Sequence, residues 1–131
     1  MPTAAEHRAE ATSITDLLDT IRVVRSDLLH DRDDLGVRGG TTRLVTWTVD
    51  AAVTGCEELG RIGAAIVDEL HRRATLCDQY TADLQRYDDA HRRWAVAVQR
   101  HRARIDTDHP TQWPGAEPLP PAVPFPGAVA G

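Results

Sequence analysis

The sequence predicts an all-α protein: a helical hairpin with a short first helix and a very long, heptad-patterned second helix. The hairpin is expected to oligomerise as a coiled coil or helical bundle and to end in a disordered Pro-rich C-terminal tail. Three observations predict this. Apolar side chains recur at helical spacing over residues 14–35. No proline interrupts residues 42–106, where apolar residues step by alternating fours and threes. Seven of the eight prolines then fall between Pro110 and Pro126. The expected divisions are a flexible N-terminus at 1–12, a hairpin and coiled-coil domain at 13–106, and a Pro-rich tail at 107–131.

Residues 1–12 are polar and are expected to fray. Ser13 suits an N-cap, with Asp16 three residues on in the first turn. Ile14, Leu17, Leu18, Ile21, Val24, Leu28 and Leu35 then make one apolar face, an amphipathic helix of about 20 residues. Gly36 suits the position just past a helix end, Gly39-Gly40 lets the chain reverse, and Thr41 or Thr42 can cap the next helix.

The second helix carries a seam through Val45, Val49, Ala52, Cys56, Leu59, Gly63, Ile66, Leu70, Arg73, Cys77, Tyr80, Leu84, Tyr87, His91, Trp94, Val98, His101 and Ile105. At 1.5 Å per residue this helix is on the order of 95 Å long, and its 3.5-residue period favours a left-handed supercoil. Its first part is rich in Ala and Gly, which lets two backbones approach closely. A rival reading breaks the helix at Gly60-Arg61-Ile62-Gly63 and gives three helices. His109-Pro110 stops the helix, and the tail beyond is extended and polyproline-like.

The length mismatch drives the functional reading. A first helix starting near residue 13 covers the second only to about residue 65. The hairpin packing is assigned to Ile14, Leu17, Leu18, Ile21, Leu28, Val49, Cys56 and Leu59. Beyond it, Ile66, Leu70, Cys77, Tyr80, Leu84, Tyr87, Trp94 and Val98 form a seam that nothing else in the chain is expected to cover. Each large side chain left bare forgoes about 1.5–3 kcal/mol, so these eight are assigned to a partner interface, either with a second copy or with a related helical protein. Arg73, His91 and His101 interrupt the seam; they either fix register or snorkel to its edge, and both readings stay open.

Composition excludes several classes. The formal net charge of −5 leaves no basic footprint for nucleic acid. Arg92, Arg93, Arg100, Arg102 and Arg104 instead suit the negative pole of a helix end. No apolar run approaches a membrane span, and the N-terminus lacks the apolar region of a cleavable signal. The expected location is cytoplasmic, with any export proceeding without such a signal. Cys56 and Cys77 lie about 31 Å apart along a straight helix and cannot bridge within the chain; a reduced pair is expected, with an interchain disulfide as the alternative. Asp68 with His71, and Asp88 with His91, read as a charged solvent face rather than metal ligands. The acidic His30–Asp34 run lacks ligand spacing. Leu119-Pro120-Pro121-Ala122-Val123-Pro124 loosely matches segments that dock in aromatic grooves, and Trp113-Pro114 precedes it. No phosphate loop, nucleophile elbow or zinc motif is present. The expectation is a non-enzymatic chain with no cofactor, no metal and no small-molecule ligand.

All 15 basic residues are arginine, a composition that fits a GC-rich source such as an actinobacterium or its phage. A short polar start, a helix, a glycine turn and an Ala-rich second helix, with residues 58–74 followed by Tyr80 and Tyr87, resemble the WXG100/ESX family of type VII secretion. The resemblance covers residues 14–100. At the family's Trp-x-Gly turn this chain has Gly36-Val37-Arg38-Gly39-Gly40. At the fourth position after Tyr80 and Tyr87, where the family's export signal has an acid, it has Leu84 and His91. The resemblance implies a small hairpin that dimerises with a related hairpin and passes through a type VII secretion system, as substrate or cytosolic partner. Alternatives from other classes are a structural coiled-coil subunit of a phage or other multiprotein assembly, and a regulatory adaptor with a recruiting Pro-rich tail.

Overall fold

A computed structural model of the chain describes residues 1–37, 43–105 and 112–130, with the side chains of 35–37, 44 and 105 outside that description. The described residues hold two helices, α1 (Ala4–Val37) and α2 (Arg43–Ile105), and no strand. The expected turn at 38–42 and the His109-Pro110 stop lie outside the described residues.

The first helix is 34 residues long, not 20, and begins nine residues before Ser13. Thr3 and Glu6 stand in the Ser/Thr-x-x-Glu pattern of a capping box, directly before and inside the first turn. Ser13 is therefore interior. Its hydroxyl donates back to the Ala9 carbonyl at 3.2 Å, and Thr12, Thr15 and Thr20 donate likewise to Arg8, Ala11 and Asp16. Thr and Ser hydroxyls satisfied in this way leave helix polarity on the surface without ending the helix. The N-terminus expected to be flexible is thus helix from Ala4 onward. The helix also runs one residue past Gly36, which had been expected just beyond its end.

The second helix is continuous through Gly60 and Gly63 over its 63 residues, so the three-helix alternative falls. Contacts group the chain into two compact units, Ala5–Arg73 and Met1–Ala4 with Ala74–Gly131.

Within Ala5–Arg73, the helices pack as an antiparallel pair. Leu18 lies on Gly63, Arg25 pairs with Glu57 at 2.8 Å, and Arg32 pairs with Asp50 at 2.9 Å. Steps of seven along α1 are matched by steps of six and seven back along α2, the register of a heptad-packed hairpin. Ala11, Leu18, Val53, Gly63, Leu70 and His7 are buried. A Cβ on Gly63 would stand 3.1 Å from Leu18 Cγ, 3.3 Å from its Cδ1 and closer still to its Cδ2. The glycine is what admits the leucine, and burial of that leucine is worth about 1.5–3 kcal/mol.

Within the other unit, Ala4, Ala74 and Cys77 form a buried cluster, with Phe125 and Ala128 packed on it. The tail expected to be disordered therefore has a place: its described residues, 112–130, carry no regular secondary structure but make specific contacts with α2. The sequence reading held that a proline-rich segment cannot cover a seam. Each proline lacks only its own backbone donor; its ring and carbonyl remain available for packing and acceptance.

Candidate interaction surfaces

The sequence-derived seam splits into two fates. From Val49 to Cys77, one of its two alternating positions is right. Val49 and Cys56 are half-buried, and Gly63, Leu70 and Cys77 are buried. The other position is displaced by one residue. Val53, Gly60, Val67 and Ala74 turn inward, whereas Ala52, Leu59, Ile66 and Arg73 are exposed. The reason is visible in the composition: large apolar residues stand at both candidate positions, and the close approach is made at Gly63, where Leu18 occupies the place of a Cβ. Of the residues assigned to hairpin packing, Leu18 is buried and Ile14, Ile21, Leu28, Val49 and Cys56 are half-buried. Leu17 at 59% and Leu59 at 55% exposure lie outside it, a correction, and Ala11, Val53 and Leu70 fill the places expected for them.

The displaced position forms a stripe of its own. Ala52, Gly55, Leu59, Ile62 and Ile66 repeat at three- and four-residue steps, carry no charge and are all exposed. Leu17 and Val24 of α1 immediately precede the inward positions Leu18 and Arg25, as Leu59 and Ile66 precede Gly60 and Val67. In an antiparallel pair, residues so placed share one flank. That flank is apolar. The opposite one holds the Arg25–Glu57 and Arg32–Asp50 pairs and a cleft of about 170 Å³ lined by Leu18, Ile21, Arg22, Arg25, Cys56, Glu57 and Gly60. Ion pairs this exposed are worth about 0–1 kcal/mol each, so they orient the hairpin more than they stabilise it.

Beyond Ala74 the seam is right in position, but its cover is different from the expected one. Val98 is buried and Tyr80, Leu84, Tyr87, His91, Trp94 and His101 are half-buried, all on the face that meets the tail. The contacts run in order. Trp113 sits edge-on to His101 with ring centroids 5.3 Å apart. The Trp94 indole N–H donates to the Gly115 carbonyl at 3.1 Å. His91 Nε2 meets Glu117 Oε1 at 2.9 Å, and its ring lies 5.7 Å from both Tyr87 and Trp94. Pro118, Leu119 and Pro121 line a shallow cleft with Asp83, Arg86, Tyr87 and Ala90. The tail ends its path at Phe125 and Ala128 on Ala74 and Cys77. Of the eight residues assigned to a partner interface, Ile66 alone is exposed, and Leu70 and Cys77 are buried within the chain.

Two aromatic-Pro-Gly-Ala corners, at 113–116 and 125–128, place these contacts, and sequence reasoning passed over both. Gly115 and Gly127 have φ of 95° and 84°. At the second, the Ala128 N–H donates to the Phe125 carbonyl at 3.1 Å. Proline followed by a positive-φ glycine is the composition of a type II turn. The Pro-Gly dipeptides were the available signal.

The polar interruptions of the seam also find roles. Arg73 donates to Glu69 at 2.9 Å, beside two bonds from Arg72 at 2.7 and 2.8 Å. Hydrogen bonds from Arg72, then from Arg73, hold the Glu69 carboxyl down at about 2 from its ordinary 4.5. The same contact raises the Arg72 guanidinium. Both cysteines are free thiols, Cys77 buried and Cys56 half-buried. Among the described residues, no group of three His, Cys, Asp or Glu side chains could hold a metal ion, and no helix is long and apolar enough to cross a membrane. Compared with family models, with curated proteins and with solved structures, the chain matches none.

Proposed function

We propose that the chain is a non-catalytic helical interaction module that assembles with a second copy of itself through the outer stripe of α2. The observation that carries this reading is the uncharged heptad run Ala52, Gly55, Leu59, Ile62 and Ile66, exposed beside Leu17 and Val24. The stripe is self-complementary. It is small at one end and large at the other, so an antiparallel twofold pairing centred on Leu59 sets Ile66 opposite Ala52 and Ile62 opposite Gly55. Nothing stands within 4 Å of a Cβ built on Gly55, so that end has room for a neighbour's side chain. A twofold interface requires this kind of self-match, and alternation of large with small fills it without voids.

The WXG100-like texture of residues 14–100 makes a type VII secretion substrate or its cytosolic partner our first setting for the module. The second reading is a structural subunit of a larger coiled-coil assembly, favoured by the 63-residue length of α2. The test of assembly is Leu59→Asp with Ile66→Asp, measured by solution mass and helicity. The double variant is expected to halve the mass and keep the helices. Unchanged mass refutes the assignment of the stripe.

A further inference from the structure

The tail-covered face of α2 has a construction of its own. Tyr80, Tyr87, Trp94 and His101 stand seven residues apart, a ladder of four rings with His91 between two of them. Seven helical residues rise about 10.5 Å, close to the ~9.3 Å of one three-residue polyproline II turn. The tail keeps this pace. From Trp113 to Phe125 it advances 12 residues while its contacts retreat 24 along α2, from His101 to Cys77. That is about 36 Å, or ~3 Å per tail residue, the polyproline II rise. Recognition combines an edge-on ring contact, an indole N–H donated to a backbone carbonyl and a His–Glu contact that fixes direction. Aromatic rungs and a donor aimed at a carbonyl are how grooves read a proline-rich strand, which has all its carbonyls free.

We propose that this face of α2 is a receptor for proline-rich segments, filled in this structure by the chain's own tail, and that the tail of a second copy takes the same seat. The contacts in trans are the same as in cis, so only effective concentration separates them. The occupant is specified by what the seat grips: a polyproline II stretch bounded by two aromatic-Pro-Gly-Ala corners. One corner is held at His101 and Trp94. The other is held in the pocket of Ala74, Cys77 and Ala4, where a Cβ on Gly127 would meet Met1 Sδ at 3.0 Å. Binding in trans requires no contact through the outer stripe, so this proposal and the assembly proposal fail separately.

The probe is a fluorescein-labelled peptide of residues 107–131. It is titrated into the full-length protein and into full-length Trp113→Ala/Phe125→Ala, whose own tail has lost both anchors. The variant is expected to bind the peptide at least tenfold more tightly than the wild type, whose tail competes at an effective concentration of about 1 mM. A peptide carrying the same two alanines should bind at least tenfold more weakly. Equal binding to both proteins, or equal binding of both peptides, overturns the proposal. Should the variant lose helicity, a protease site placed between Asp108 and His109 carries the test: the severed tail should stay with the helices on size exclusion and be displaced by excess labelled peptide. Departure of the cut tail with helicity retained and no uptake of the peptide overturns it.

Discussion

Replacing Gly63 with alanine tests the hairpin register at one atom. The substitution has two opposed effects. Alanine in a helix interior is favoured over glycine by about 0.8–1 kcal/mol. Its Cβ would meet Leu18 at Cδ2, with Cγ at 3.1 Å and Cδ1 at 3.3 Å. Leu18 is 8% exposed, so its side chain cannot swing into solvent without giving up its burial. Overpacking of this kind costs about 1–3 kcal/mol. The net effect at Gly63 is a loss of about 0–2 kcal/mol. Gly60 sits on the same helix, off the outer stripe, with nothing within 4 Å of its Cβ site, so the same substitution there should stabilise by about 1 kcal/mol. The propensity gain is common to both, and the gap between Gly60→Ala and Gly63→Ala isolates the packing cost at about 1–3 kcal/mol. Leu18→Ala closes the cycle. It should itself cost about 2–5 kcal/mol, and in its background Gly63→Ala should turn stabilising. The assay is urea or thermal unfolding followed by circular dichroism at one protein concentration, because self-assembly adds to apparent stability. A gap of this size corresponds to a difference of about 3–10 °C in midpoint. Equal gains at Gly60 and Gly63 would refute the register from which both the packed seam and the exposed stripe are read.

The remaining predictions bear on other parts of the molecule. Cys77 is buried under Phe125 while Cys56 is half-buried, so a thiol reagent should label Cys56 first in the native protein. Gly127→Ala, which forces a side chain into φ 84° and onto Met1, should release the corner and speed labelling of Cys77 at least tenfold; unchanged protection would contradict the packing of the tail. Leu84→Asp with Tyr87→Asp should free the tail, read as loss of the Trp94 and Trp113 emission shift, while leaving the oligomer mass unaltered. Glu69 has a folded pKa lowered from 4.5 to about 2, so its contribution is complete above about pH 4.5 and fades as the pH falls toward 2. Carboxyl NMR of Glu69 should titrate near 2, and Glu69→Gln should flatten that part of the acid-unfolding profile. A titration midpoint at 4 or above would show that the arginines do not hold it.

Much of this fold could be read from the residues. The all-helical hairpin follows from apolar periodicity and from the absence of proline within both helices. Three features could not be read in the same way. The start of α1 hinges on Thr3 and Glu6, and a second hydroxyl residue with an acid three residues on, Ser13 with Asp16, gives an equal local signal; Ser and Thr hydroxyls can cap or bond back, and tertiary cover decides. The inner seam of α2 competes with the outer stripe because Leu59, Ile62 and Ile66 are bulkier than Gly60, Gly63 and Val67. Hydrophobic size favours the first set, whereas the closest helix approach favours the second, and only the partner helix reveals which faces it. The tail was misjudged because low hydrophobicity and missing donors rule out a core of its own but not a seat on another element. Tyr80, Leu84, Tyr87, Trp94 and Val98 read as a seam for a partner, and the described tail with its two Pro-Gly corners lies along that face instead.

The central claim is that the outer stripe joins two copies, and sedimentation equilibrium at micromolar concentration tests it most directly. The wild-type chain of 14.4 kDa should sediment as a dimer, and Leu59→Asp with Ile66→Asp as a monomer of unchanged helicity. A wild-type monomer, or a double variant that remains dimeric, would contradict the account.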